Sequence, residues 1–289
     1  MRTVPPPQSS PSKPTYALPR HACDTHVHIY GPSDRFPYDP DRPYDAPEAP
    51  AQALENLHLH LGVDRVVIVQ ATVHGTDNRA MLDAIARRPD SARGVALVAD
   101  DATDNELQTL HAGGVRGLRY NFMPHLGHSA DPRAVLAMAR RVAPLGWHVQ
   151  LHVQAEHLAE LHPFLSTLPV PYVIDHMGRP MVRDGLEQPA LTELLRVLED
   201  EQAWLKISGP ERISEILSQG PIPYGDVVPF VQSMLAVAED RIVWGTDWPH
   251  PNVREVPDDG KLVDLLPRYA DAGVLHKVLV DNPARLYGF

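Results

Sequence analysis

From residue 21 onward the chain alternates eight short β-rich runs with amphipathic stretches, and this alternation limits the folds open to it. The runs are Ala22–His28, Arg65–Gln70, Arg93–Val98, Val115–Tyr120, His148–His152, Pro171–Asp175, Ala203–Ser208 and Arg241–Gly245. The clearest helical patterns between them are Asp77–Arg88, Asp104–Ala112, Pro132–Ala143, Pro189–Asp200 and Asp226–Glu239. Several of these open on an Asp N-cap or on a Pro suited to the first turn. Eight strands separated by helices is the count of an α/β fold of the (β/α)8, or TIM, barrel type. A doubly wound sheet is the competitor. It usually carries a glycine-rich phosphate turn after its first strand, and Tyr30-Gly31-Pro32 follows the first run here instead. The length of 289 residues suits one barrel, assigned to 21–289.

Residues 1–20 hold six prolines and no apolar stretch of signal-peptide type. They read as a proline-rich tail, either poorly ordered or laid as an arm on the barrel or on a partner subunit. A long loop then runs from the first strand to about residue 50. Its aromatics, among them Phe36, Tyr38 and Tyr44, suggest a lid over a site.

Composition narrows the function. A formal net charge of −11 argues against broad nucleic-acid binding and against an anionic membrane surface. No apolar run approaches the ~18 residues of a membrane span. The one cysteine, Cys23, has no internal disulfide partner, which points to a reducing, cytoplasmic setting. The nucleophile elbow G-x-S-x-G is absent, which argues against an α/β-hydrolase serine enzyme.

In a (β/α)8 barrel the active site lies at the C-terminal ends of the strands. The first run ends Asp24-Thr25-His26-Val27-His28, and period-two alternation puts Asp24, His26 and His28 on one face. Cys23 then falls on the other face as a buried thiol. Two histidines at i and i+2 on a strand suit one metal ion. The eighth run leads to Asp247, either a metal ligand or a base that takes a proton from water, with helix capping as the plain alternative. The fifth run has a polar face of His148, Gln150 and His152, odd to bury unless it serves a site. His152 stands where it can join His26 and His28, and His176 ends the sixth run as a further candidate.

Arg119, Arg179 and Arg212 lie at or just beyond the ends of the fourth, sixth and seventh runs. In an acidic protein such a group suggests a local pocket for carboxylates, which arginine grips bidentately. Tyr44, Thr72, His74, Asn121, His125, His250 and Asn252 complete the expected walls. The remaining histidines on helical stretches, His58, His60, His111, His157, His162 and His276, read as exposed or capping residues.

The runs CDTHVHIYGPSDRFPYDPDRPY, VIDHMGRP, VWGTDWPHPN and DNPARLYGF resemble the amidohydrolase superfamily (amidohydrolase family 2). More narrowly they resemble its 2-pyrone-4,6-dicarboxylate hydrolase and sugar-lactonase branch, from about residue 20 to the end. The resemblance implies a distorted (β/α)8 barrel and hydrolysis of small lactones. Carried over, it makes His26 and His28 the strand-one pair, His176 the strand-six histidine and Asp247 the general base. It gives Tyr44, Thr72, Arg119, Arg179 and Arg212 to the substrate's carboxylates and ring oxygens.

Two departures matter. His125 aligns where the pyrone dicarboxylate hydrolases carry an arginine, and His152 where they carry a tyrosine. Those hydrolases act without a metal. Other branches hold one Zn²⁺ with the equivalents of His26, His28, His152 and Asp247, all present here, so a single divalent ion stays open beside a metal-free site.

The expected reaction is water attack on a lactone carbonyl, with Asp247 moving the proton and His26, His28 and His176, or a metal they help hold, stabilising the oxyanion. The expected partner is a small anionic lactone, 2-pyrone-4,6-dicarboxylate or a muconolactone-type compound of aromatic catabolism. Neither nucleic acid nor membrane is expected, and the chain is taken as a monomer or homodimer. The rivals are a lactone isomerase or a metal-dependent decarboxylase on the same barrel, and a non-catalytic binder of small acids.

Overall fold

The computed structural model describes residues 2–123 and 130–289. His125 lies outside them. Two short strands, β1 (Arg2–Thr3) and β3 (Tyr44–Asp45), pair with each other. The expected eight form the barrel: β2 (Cys23–Val27), β4 (Arg65–Val69), β5 (Ala92–Ala96), β6 (Val115–Asn121), β7 (His148–His152), β8 (Tyr172–Ile174), β9 (Ala203–Ile207) and β10 (Ile242–Trp244). They are parallel and neighbour one another in chain order. Helices cover the outside, so the strands are buried on both faces and read as apolar runs such as Val66-Val67-Ile68-Val69. Five of the helices, Arg79–Arg87, Asp104–Ala112, Pro132–Val142, Pro189–Val197 and Val228–Ala238, fall on the helical patterns. Among the described residues no helix is long and apolar enough to cross a membrane.

The barrel is distorted where it closes. β10 and β2 do not form a full ladder. Among the described residues the one bridge across this seam joins Val27 to Trp248, beyond the end of β10. His28 N–H donates to the Trp248 carbonyl at 2.8 Å, Asp247 N–H to the His26 carbonyl at 2.9 Å, and Thr25 Oγ1 to the Trp244 carbonyl at 2.8 Å. Gly245 permits this approach, since a Cβ there would stand 2.7 Å from the His26 nitrogen.

The register of β2 slips between Asp24 and Val27, which overturns the shared face expected of Asp24, His26 and His28. Asp24 Oδ2 accepts from Thr246 Oγ1 at 2.6 Å and lies 3.5 Å from His58 Nε2 on helix α1 (Ala51–Leu61). Asp24 Oδ1 accepts from the backbone nitrogens of Thr246 and His26. Asp24 thus bolts the seam while His26 and His28 turn to the mouth. His58, expected at the surface, is buried to hold this bolt.

Cys23 is a buried thiol, in a cluster with Val67, Val69, Val95, Val173, Val243 and Tyr287 that fills the barrel's lower end. His148 opens β7 at that same end. Its ring lies edge-on to Tyr287 at 5.1 Å and over Gly117, where a Cβ would come within 2.5 Å of it. Of the polar face expected on this strand, His148 therefore stays away from the mouth.

Residues 2–20 take the form of an arm on their own barrel. Val4 is buried, and its N–H donates to the Asp45 carbonyl at 2.8 Å. Ser12 bonds Asp258, and the backbones of Thr15 and Tyr16 bond Asp264. Gly260 lies so close beneath that a Cβ would fall 1.9 Å from the Ser12 carbonyl. Proline fixes φ in the free chain, so such a segment loses less entropy on docking. The pairing of β1 with β3 also fixes the long loop at Tyr44.

Candidate active site

Strand ends and the turns behind them build the mouth. His26 and His28 come from β2, Arg119 from β6, His152 from β7, His176 and Arg179 from the turn after β8, Arg212 from beyond β9, and Asp247 from the turn after β10. The turn after β8 is left-handed at four successive residues, His176, Met177, Gly178 and Arg179, with φ of 50°, 59°, 63° and 59°. Asp247, His250 and Asn252 also have positive φ. Each non-glycine residue in this conformation costs about 1–2 kcal/mol. Such strain persists where surroundings over-determine it, and it gathers at functional sites.

Three imidazoles converge on one carboxylate oxygen. The Nε2 atoms of His26, His28 and His176 stand 3.7, 3.7 and 3.8 Å from Asp247 Oδ1. Those separations exceed a hydrogen bond, and Oδ1 has no partner among the described residues. Oδ2 is clamped by Arg212 through Nε at 3.1 Å and through Nη2. Burial alone would raise the Asp247 carboxyl, but Arg212, helped by His26 and His28, brings it down to about 2. The carboxylate is therefore ionised, held by one oxygen and open at the other.

The histidines are neutral. Burial pushes His28 down to about 3, and burial with neighbouring cationic groups pushes His176 and His152 well below the usual range. His28 Nδ1 lies 2.9 Å from the Val69 carbonyl, so Nδ1 carries the proton and Nε2 keeps its lone pair. His28 thus meets the mouth as an acceptor, not as the oxyanion donor expected of it. His176 Nδ1 bonds Ser208 Oγ at 2.9 Å.

Beneath the mouth lies a charged layer that the sequence reading missed. Lys206 on β9 is fully buried, with Nζ 2.7 Å from Gln150 Oε1, 3.3 Å from His26 Nδ1 and 3.6 Å from Asp175 Oδ1. Burial lowers its ammonium to about 8 against the pull of Asp175. Asp175 Oδ2 accepts from Arg119 Nε and Gln150 Nε2. The available signal was a lysine between Leu205 and Ile207 in a strand buried on both faces, where an unpaired charge is untenable. Glu211, beside Arg212 and also buried, was missed too; burial raises its carboxyl against the pull of Arg212.

A cavity above the convergence is lined by Tyr44, Thr72, Arg119, Arg179, Arg212 and Asn252, together with His28, His152, His176 and Asp247. Among the described residues Arg119 donates only through Nε and Arg179 only through Nη2 at the side chain, so both keep guanidinium N–H groups for a ligand. Arg212 is directed at Asp247 and the Pro251 carbonyl. Other expected wall residues serve elsewhere. His74 joins the Gly31 nitrogen to the Pro37 carbonyl, His250 bonds Asp259 at 2.9 Å, and Asn121 closes a turn on Met123.

His26, His28 and Asp247 bring one ligand atom each within 4.8 Å of one another, as do His26, Asp175 and His176. These are His/Asp groups of the kind that hold a divalent ion. His152 belongs to neither group, and its Nε2 accepts from Arg179 Nη2 at 2.7 Å. The four-ligand set is therefore not assembled.

Comparison with known proteins shows the family to which this barrel belongs. A 2-pyrone-4,6-dicarboxylate hydrolase of Comamonas testosteroni is 45% identical over 286 residues, covering 96% of this chain and 94% of the relative. A 4-sulfomuconolactone hydrolase of Rhizobium radiobacter is 37% identical over 279 residues, covering 95% and 92%. The crystal structure of a probable 2-pyrone-4,6-dicarboxylic acid hydrolase from Acinetobacter baumannii, with citric acid bound, superposes with a TM-score of 0.79. It is 29% identical over 93% of this chain and all of its own. The amidohydrolase family profile matches residues 23–289, and the chain belongs to that family.

Proposed function

We propose that this protein hydrolyses a small lactone bearing carboxylate groups, of the 2-pyrone-4,6-dicarboxylate or muconolactone type. The observation that carries the reading is Asp247, clamped at Oδ2 by Arg212 and open at Oδ1 amid three imidazole Nε2 atoms. A water at Oδ1 gives its proton to the carboxylate as its oxygen bonds to the lactone carbonyl carbon. The His28 lone pair orients that water. Ring C–O cleavage then collapses the tetrahedral oxyanion, and the protonated Asp247 returns its proton to the leaving oxygen. Arg119 and Arg179, with N–H groups to spare over the cavity, grip the substrate's carboxylates. The relatives from Comamonas and Rhizobium act on compounds of this class, which supports the choice.

We read the reaction as metal-free. A Zn²⁺ ion does not fit well: His152 is turned to Arg179, Asp247 Oδ2 to Arg212, and His26 Nδ1 faces the Lys206 ammonium. A divalent cation there would also enter a shell already holding Arg119, Arg179, Arg212 and Lys206.

The test is hydrolysis of 2-pyrone-4,6-dicarboxylate, followed by loss of its ultraviolet absorbance, with and without chelator treatment. Turnover untouched by chelator is expected. Loss restored by Zn²⁺ would overturn the metal-free reading. No turnover across a panel of carboxylated lactones would overturn lactone hydrolysis itself, and a product still holding a lactone ring by NMR would mark an isomerase. Within the same assay, Arg119→Met should lower kcat/KM for a carboxylated lactone by about 10-fold or more, the worth of one charge-assisted hydrogen bond. A neutral lactone should lose much less. Equal losses would remove the anion-pocket argument.

A further inference from the structure

Lys206 sits at the centre of the barrel below the reacting groups, and the reaction as drawn does not use it. An ammonium has three N–H donors and no acceptor. Among the described residues three acceptor atoms stand near Nζ: Gln150 Oε1 at 2.7 Å, His26 Nδ1 at 3.3 Å and Asp175 Oδ1 at 3.6 Å. Only Gln150 Oε1 and His26 Nδ1 are within hydrogen-bond distance, so the ammonium keeps its second partner only if His26 Nδ1 offers its lone pair. A proton on Nδ1 would instead face the ammonium, donor against donor, in a fully buried site. That would leave the ammonium with Gln150 Oε1 as its one hydrogen-bond partner among the described residues, where unsatisfied buried donors are rare.

The competitor for His26 is Asp175, whose Oδ1 lies 3.4 Å from Nδ1 and would take a proton from it. Arg119 and Gln150 serve Asp175 Oδ2, while Oδ1 has no hydrogen bond among the described residues and pairs with the Lys206 ammonium by charge at 3.6 Å. The ammonium, which can only donate, stands nearer to Nδ1, at 3.3 Å against 3.4 Å for Asp175 Oδ1, and opposes a proton there.

We propose that Lys206 is a positioning residue that locks His26 in the Nε2–H tautomer, making His26 the hydrogen-bond donor to the substrate's carbonyl oxygen. His28 has the opposite tautomer, fixed by the Val69 carbonyl. The two rings, 5.1 Å apart and nearly perpendicular, then present one donor and one acceptor beside Asp247 Oδ1. The donor meets the oxyanion and the acceptor meets the water. The same lock removes the His26 Nε2 lone pair that a metal would need. The role given to the substrate rests on the lactone reading; the tautomer itself does not.

The experiment is long-range ¹H–¹⁵N NMR of the full-length protein labelled in histidine nitrogen, near neutral pH. His26 is identified by its loss in His26→Gln. The expected wild-type signature is an unprotonated Nδ1 and a protonated Nε2. A protonated Nδ1 overturns the proposal, whatever the enzyme does with lactones. In Lys206→Met, which keeps length and removes the charge, the proton should move to Nδ1 and toward Asp175. With it kcat should fall about 10²-fold while KM changes little, as for loss of one oxyanion donor. A folded Lys206→Met with an unchanged tautomer also overturns the proposal. If that variant does not fold, the wild-type spectrum decides alone. A tautomer shift in a protein that opens no lactone would leave the lock standing and sink the functional reading.

Discussion

Replacing Asp247 with Asn is expected to cut kcat by about 10²–10⁴-fold, the usual worth of a positioned general base. Asn keeps the shape of the side chain and an acceptor for Arg212, so circular dichroism should be unchanged. What it loses is the proton acceptor at Oδ1, the oxygen ringed by His26, His28 and His176. No neighbour can take over. His28 is held down near 3 by burial, His176 is lowered well below its usual range, and Asp175 is committed to Arg119, Gln150 and Lys206. KM should move little, because the carboxylate-gripping N–H groups belong to Arg119 and Arg179. A variant within about threefold of wild type would remove Asp247 from the role of base. The Asp247 carboxyl lies at about 2 in the native protein, so its own titration cannot cause a loss of activity above pH ~4.

The barrel was readable because the period of each segment and the number of segments agree with a single topology. All eight runs became strands, with ends moved by one or a few residues. The Asp247 position and the strand-one histidines were readable because a barrel's chemistry lies at its strand ends. The errors have separate physical causes. Alternation alone cannot see a register slip, so Asp24 was placed with His26 instead of with His58 and Thr246. Residue type cannot tell a ligand from a strut, so His74 and His250 were assigned to the pocket although they tie loops and a helix start together. His152 had the right position and the right element for a metal ligand, but Arg179, far along the chain, takes its lone pair. Lys206 was passed over because it lies in an apolar run and its partners, Gln150, Asp175 and His26, come from three other strands or strand ends. Local pattern fixes which face a residue is offered to; long-range pairing decides what it does there.

Acid should unfold this protein earlier than it disables its base, and the sign follows from the buried histidines. His28 and His148 are fully buried and lowered to about 3, His28 by burial with His26 and His148 by burial with Lys206. In the unfolded chain each titrates near 6.5. Between those values the unfolded state binds protons that the native state refuses, so stability falls as pH falls. By pH 5 each of the two groups costs about 2 kcal/mol. Together they take about 4 of the roughly 5–15 kcal/mol that domains possess. His152 and His176, also lowered well below the usual value, act in the same direction. The depressed carboxyls of Asp247 and Asp175 give no offset in this window, since their stabilisation is complete above about pH 4 and is lost only below it. His250, raised by Asp259 against burial, is the one fully buried histidine that opposes the trend among those described. The melting temperature is therefore expected to fall by at least about 5–7 °C between pH 7 and pH 5, at somewhat under about 2 °C per kcal/mol for a chain of this size. Activity should disappear with the fold rather than before it. His148 offers a control, because it packs on Gly117 and Tyr287 at the end of the barrel away from the chemistry. In His148→Gln the pH-dependence of stability should lose one proton's worth of slope while kcat at neutral pH stays as it was. A melting temperature that is flat from pH 7 to pH 5 would mean that protons reach these imidazoles in the native barrel, and the neutral-histidine site drawn above would have to be redrawn with charged rings.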